Sequence, residues 1–168
     1  DYNIAIGAHS LAALTKDGTA ANIAIGAGTG QKLTTGIRNI YVGLSAGNNS
    51  TTASGSVFIG NDAGSANTTG NNNIGIGLNV MNTATTTGDS NISIGASSGD
   101  ALTSGTLNVF MGDNSGGATD DGAFNVAVGH EALSSNCGNG NTVVGYNAGI
   151  SVTGALNTLI GHQAGTDS

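Results

Sequence analysis

The sequence predicts an all-β chain wound as a parallel β-solenoid of about ten coils, each 16–19 residues long. Three observations predict it. The five-residue motif Asn-apolar-x-apolar-Gly recurs ten times in 168 residues. The chain holds 30 Gly and no Pro or Trp, and Gly is the residue of tight corners. Only 8% of residues are charged, against roughly 25% in an average globular protein, so ordinary charge-rich disorder is excluded.

The copies run in order as NIAIG at 3 and 22, NIYVG at 39, SVFIG at 56 and NIGIG at 73. They continue as NISIG at 91, NVFMG at 108, NVAVG at 125, NTVVG at 141 and NTLIG at 157. Their closing glycines are Gly7, Gly26, Gly43, Gly60, Gly77, Gly95, Gly112, Gly129, Gly145 and Gly161. Successive gaps are 19, 17, 17, 17, 18, 17, 17, 16 and 16 residues. Self-similarity at a fixed period over residues 1–168 marks one repetitive domain whose coils support their neighbours. About 17 residues is too short for a strand plus a helix, which leaves short strands and turns. Ten strands about 4.8 Å apart span roughly 45–50 Å. The chain begins inside a motif and has no polar cap at either end, so it is expected to be an excerpt of a longer fibre.

Each motif opens on an anchor: Asn3, Asn22, Asn39, Asn73, Asn91, Asn108, Asn125, Asn141 or Asn157. Two roles are open for this column, a ladder of stacked amides or bonds to turn backbone. The second and fourth motif positions are almost all β-branched, from Ile4 and Ile6 to Thr158 and Ile160. They share one strand face and are expected to form the core. The third position is expected to face outward as an apolar stripe. Tyr41, Phe58, Phe110, Val143 and Leu159 in it are the expected interface between chains. Only 35 residues are Leu, Ile, Val or Phe, so partner chains are expected to complete a thin core.

After the closing Gly come two variable residues, a small residue and usually a second Gly, as in GLSAG at 43 and GYNAG at 145. Leu11, Met81 and Leu133 replace that second Gly. A further Gly stands three residues before most anchors, as in TTGIRN and TTGNNN. TTASGSV at 51 departs, with Ser56 for Asn and Gly55 beside it. Gly75, between Phe58 and Phe110 in its column, is expected to leave a gap for a neighbouring chain.

Coils of the form NIxIGxxAG…TTGxxN resemble the repeats of bacteriophage tail-fibre proteins. The NIAIG core is also similar to the head repeats of YadA-type trimeric autotransporter adhesins. The resemblance covers all ten coils. It implies a left-handed β-roll, three chains intertwined or packed about one axis, and a place in a virion tail fibre or on an extracellular surface. The coil here is longer than the autotransporter repeat, which favours the phage fibre; the bacterial adhesin head is the alternative. The implied function is a stiff homotrimeric shaft that contacts a host glycan or protein receptor. Asn61, Leu78, His130, Tyr146 and His162, at variable turn positions, are the candidate contacts.

The net charge is −7, with Lys16, Lys32 and Arg38 the only cations. Nucleic acid and anionic membrane surfaces need clustered basic residues, and no apolar run reaches the roughly 20 residues of a membrane span. Cys137 is alone, so no intrachain disulfide forms. No catalytic, cofactor or metal set is expected, and the chain is read as a non-enzyme. His130 and His162 share a column two coils apart, or roughly 9.6 Å, and His9 is isolated. Asp113, Asp120 and Asp121 lie in GDNSGGATDDG, which is not the calcium-binding GGxGxD repeat. GAGTG at 26–30 lacks the spacing of a dinucleotide loop. A polysaccharide-degrading β-helix is the enzymatic alternative, though nothing singles out Asp100 with Asp113 or Asp120. An ice-binding solenoid is a third reading, on Thr34–Thr35, Thr51–Thr52, Thr68–Thr69, Thr86–Thr87 and Thr103.

Overall fold

Three-residue strands are all the motif allows, because a corner closes each side. The computed structural model, which describes residues 2–15 and 19–166, has ten of them. Lys16 lies outside the described residues. The strands are β1 Ile4–Ile6, β2 Ile23–Ile25, β3 Ile40–Val42, β4 Val57–Ile59 and β5 Ile74–Ile76. They continue as β6 Ile92–Ile94, β7 Val109–Met111, β8 Val126–Val128, β9 Thr142–Val144 and β10 Thr158–Ile160. All pair in parallel and in sequence order, forming one ten-stranded sheet. The register is motif on motif, as in Ile4 on Ile23 and Tyr41 on Phe58. The chain is therefore a parallel β-solenoid of about 17 residues per turn.

The strand faces are the reverse of the sequence expectation. In β4, Phe58 is buried while Val57 is half-buried and Ile59 exposed, and β2, β5 and β7 repeat the pattern. Tyr41, Phe58, Phe110 and Val143 are wholly buried within the single chain, and Leu159 packs on the same cluster. They form this chain's own core and not an interface between chains. The reason is the anchor. Side chains alternate along a strand, so a buried Asn at the first position puts the third inside and the second and fourth outside. Nearly every anchor is fully buried, from Asn22 to Asn141.

The anchors do both things the sequence left open. The Asn39 backbone N–H donates to Asn22 Oδ1 at 2.9 Å, and Asn39 Nδ2 donates to the same oxygen at 3.1 Å. Asn39 Nδ2 also donates to the Ala53 carbonyl one turn ahead, at 2.8 Å. The scheme recurs at Asn91 and Asn108. At the departing coil, Ser56 Oγ still accepts the Asn73 N–H at 3.2 Å, and Asn67 joins the ladder, its Oδ1 accepting from Asn73 Nδ2. Asn125 Nδ2 is buried without a partner among the described residues. The next coil is a residue short, and the Gly138 carbonyl it would reach is taken by Asn141 Nδ2.

Each coil fills its core with about one large side chain, and the site it uses rotates. Tyr41, Phe58 and Phe110 fill the strand site, with Gly47, Gly64 and Gly116 six residues on, beneath the rings. Where the strand site holds Ala5, Gly75 or Ala127, the second site holds Leu11, Met81 or Leu133. Where both sites are small, Ala24 with Gly30 and Ser93 with Gly99, the third holds Leu33 or Leu102. The space beside Gly75 is therefore closed from within this chain: Phe58 and Val80 stand 2.8 and 3.1 Å from where its Cβ would be, and Met81 is buried in the same coil. No gap is left there for a neighbour. The closing glycines are a separate matter, since a Cβ on Gly7 would stand 2.5 Å from the Gly26 carbonyl oxygen.

The departure at TTASGSV also has a backbone cause. The residue before each anchor is left-handed, with φ between 51° and 71° from Ala21 to Leu156. Gly55, at 70°, is that residue in its coil, and Gly takes this conformation without the cost other residues bear.

Candidate interaction surfaces

The β-branched columns that the anchors push outward form a flat face. Ile25, Ile59, Ile76 and Met111 are each 37–42% exposed. Neither column contains Asp, Glu, Lys or Arg in any of the ten strands. The face runs along nine strand spacings, roughly 43 Å. Leu44, Leu78 and Tyr146 add exposed apolar surface after the closing Gly, and Leu107, Phe124 and Leu156 add it before the anchor. A continuous uncharged stripe of this length is the sort of surface that soluble monomers rarely carry.

The candidate turn residues occupy one column beside this face. Asn61, Leu78, His130, Tyr146 and His162 are all exposed. The last three stack: His130 to Tyr146 at 5.3 Å between ring centroids, and Tyr146 to His162 at 5.1 Å, with interplanar angles of 14° and 18°. Tyr146 thus stands between the two histidines. His130 Nδ1 also lies 3.5 Å from Asn147 Oδ1. His9 is exposed, in a left-handed turn. Among the described residues no three His, Cys, Asp or Glu side chains converge.

Several carboxylates are engaged in the turns. Asp89 Oδ1 accepts the Asn71 N–H at 2.6 Å, and Asp100 Oδ1 accepts those of Asn82 and Thr83 at 3.2 and 3.1 Å. Asp120 Oδ1 accepts the Asp121 N–H at 2.6 Å, and that bond foremost holds the exposed Asp120 carboxyl below its ordinary range. Burial pushes the Cys137 thiol up, against a 3.4 Å contact with Thr119 Oγ1. The threonine ladder is likewise used internally. Thr34, Thr51, Thr68 and Thr103 each donate a hydroxyl to a carbonyl one turn ahead, at 3.0–3.4 Å.

One cleft interrupts this side of the solenoid. It measures about 430 Å³ and lies among Lys32, Asn49, Ala66, Asn82, Thr83 and Thr85. It opens where the coil after β5 carries an extra residue, a spacing of 18 visible in the sequence. The other departures from a 17-residue spacing, 19 and 16, look no different in the sequence.

No protein-family model, curated protein or solved structure matches the chain.

Proposed function

We propose that this chain is a self-associating structural segment of a phage tail fibre, three copies forming a stiff shaft that presents a host-contacting surface. One observation carries the self-association: the uncharged, largely β-branched face that runs along all ten strands, half-buried to exposed in the single chain. Covering apolar surface contributes roughly 25 cal/mol per Å², and a flat stripe of this kind suits another copy of itself. The number three and the virion setting rest on the resemblance of the NIxIGxxAG repeats. Stiffness follows from in-register pairing, in which every coil bonds to the next. The bacterial adhesin head is the second reading, and the exposed His130–Tyr146–His162 column favours a binding role in either.

Sedimentation equilibrium tests the proposal. The expected mass is three times the 16.1 kDa chain, falling to one chain in an Ile59→Asp, Ile76→Asp double variant that keeps its β-rich circular dichroism. A 16.1 kDa species for the unaltered chain at all concentrations sinks the shaft.

A further inference from the structure

In the regular winding, the residue at this corner donates its N–H to the coil ahead. Lys32 N–H reaches the Asn48 carbonyl at 3.1 Å, and Asn49 N–H reaches Ser65 at 3.2 Å. Ala66 is next in the column, and its N–H makes no hydrogen bond among the described residues. The cause is the extra residue. The Ala66 carbonyl accepts from Thr86 N at 3.0 Å and Asn67 bridges to Thr86, so the chain between Asn82 and Thr86 detours around the place where the bond would form. Thr83 and Thr85 are exposed on that detour. The result is a notch lined by the small Ala66, by Asn49 and Lys32, and by Thr83 and Thr85 of the bulge.

Three donor groups on the notch have hydrogens to spare. Lys32 Nζ gives one hydrogen to Asn49 Oδ1 at 2.7 Å, and an ammonium has three. Among the described residues it has no carboxylate within ion-pair distance. The Ala66 N–H is a second open donor and the Thr85 hydroxyl a third. The neighbouring Asp100 oxygen is already held by two backbone N–H groups. A volume of about 430 Å³ lies within the range of small-molecule sites.

We propose that this notch binds a carboxylate-bearing sugar residue, the carboxylate on Lys32 and the ring hydroxyls on the Ala66 N–H and the threonine bulge. A monoanion matches a single cation on a chain of net charge −7; a phosphate dianion would call for a cluster of them. The same N–H is also without a bond at Ala118, Ser135 and Ser151 among the described residues. No lysine or arginine follows Arg38 in the sequence, so those places lack the charge. The inference rests on the host-contact half of the proposed function and is independent of the trimer.

Saturation-transfer-difference NMR on the intact chain, in whatever assembly it forms, tests it with methyl β-D-glucuronide and methyl β-D-glucoside as probes. The expected result is saturable transfer to the glucuronide with a dissociation constant of about 1 mM. Binding should be about tenfold weaker for the neutral glucoside and for a Lys32→Met variant, with the sedimentation mass unchanged. Ala66→Leu, which adds bulk to the lining, should abolish it. Absence of transfer at roughly ten times that concentration overturns the proposal, and so does equal binding of the two sugars that Lys32→Met leaves untouched. A trimer that ignores the glucuronide sinks this site alone, and a monomer that binds it sinks the shaft alone.

Discussion

A methyl group on Gly116 would stand 2.7 Å from three carbons of the Phe110 ring. The two residues, six apart in one coil, share a single core volume. Gly116 also has φ +61°, so substitution there meets two costs. Gly116→Ala should destabilise by about 2–4 kcal/mol, from the left-handed backbone and the overpacked ring. Phe110→Ala alone should cost about 3–5 kcal/mol. The double variant Phe110→Ala, Gly116→Leu reproduces the Ala127–Leu133 arrangement of the next coil. It should recover most of the loss, with a favourable coupling of about 1–3 kcal/mol in a denaturant double-mutant cycle. Additive losses would mean that the rotating core site is a coincidence of sequence.

The asparagine ladder predicts an uneven tolerance of substitution. Asn108 Oδ1 accepts the Asn125 N–H at 2.9 Å, and its Nδ2 donates to Gly122 O at 2.8 Å. Asn108→Ala strands both buried backbone groups, at a cost of about 2–5 kcal/mol. Asn71 makes a comparable bond, to the Ser54 N–H at 3.0 Å, but only half-buried, where water replaces it. Asn71→Ala should cost under about 1 kcal/mol. Urea midpoints of the two variants should separate clearly; equal midpoints would remove the ladder from the account of stability.

Tyr41 makes stability fall in alkali. Its ring lies stacked on Phe58 at 5.6 Å and its hydroxyl contacts Ser50 Oγ at 3.2 Å. Burial raises its ionisation well above the ordinary tyrosine value, the Ser50 bond opposing this only in part. The unfolded chain releases this proton near pH 10 while the folded chain keeps it. The Tyr41 contribution is therefore fully present below pH 10 and falls above it, by about 1.4 kcal/mol per pH unit for one proton. Denaturation midpoints at pH 9, 10 and 11 should show the fall, and Tyr41→Phe should make it shallower, the remainder coming from the buried Cys137 thiol, whose ionisation is also raised.

The period of the motif carried the fold, and its parity misled. Ten copies at near-constant spacing leave parallel stacking as the arrangement in which every short strand finds a partner. Hydrophobicity then argued for Ile4 and Ile6 inside, because two β-branched residues outweigh one variable one. Asn22 decides otherwise, since its amide must reach buried backbone and draws Ala24 inward with it. The corrected parity moves the exposed apolar face from Tyr41 and Phe58 to Ile40 and Ile59. The substitutions Leu11, Met81 and Leu133 were visible as exceptions, but their meaning needed the core sites to be placed. The notch at Ala66 was not legible, because a single added residue can be absorbed at any corner.

Leu107, Phe124 and Leu156 bring the corrected surface to a test. All three are left-handed, at φ 59–61°, and 52–84% exposed. A large side chain in that conformation costs roughly 1–2 kcal/mol, and in the single chain neither Leu107 nor Phe124 is buried in exchange. Three of the six equivalent left-handed positions elsewhere hold Gly55, Asn72 and Gly140, residues that take the conformation more easily; Ala21, Arg38 and Ser90 fill the others with smaller or polar side chains. The strain is offset if these side chains pack against another copy beside the β-branched face. Leu107→Gly and Phe124→Gly should therefore stabilise the dissociated chain, by about 1 kcal/mol each in dilute solution, while weakening self-association several-fold in sedimentation velocity. Stabilisation with unchanged association would place the contact between copies elsewhere on the solenoid.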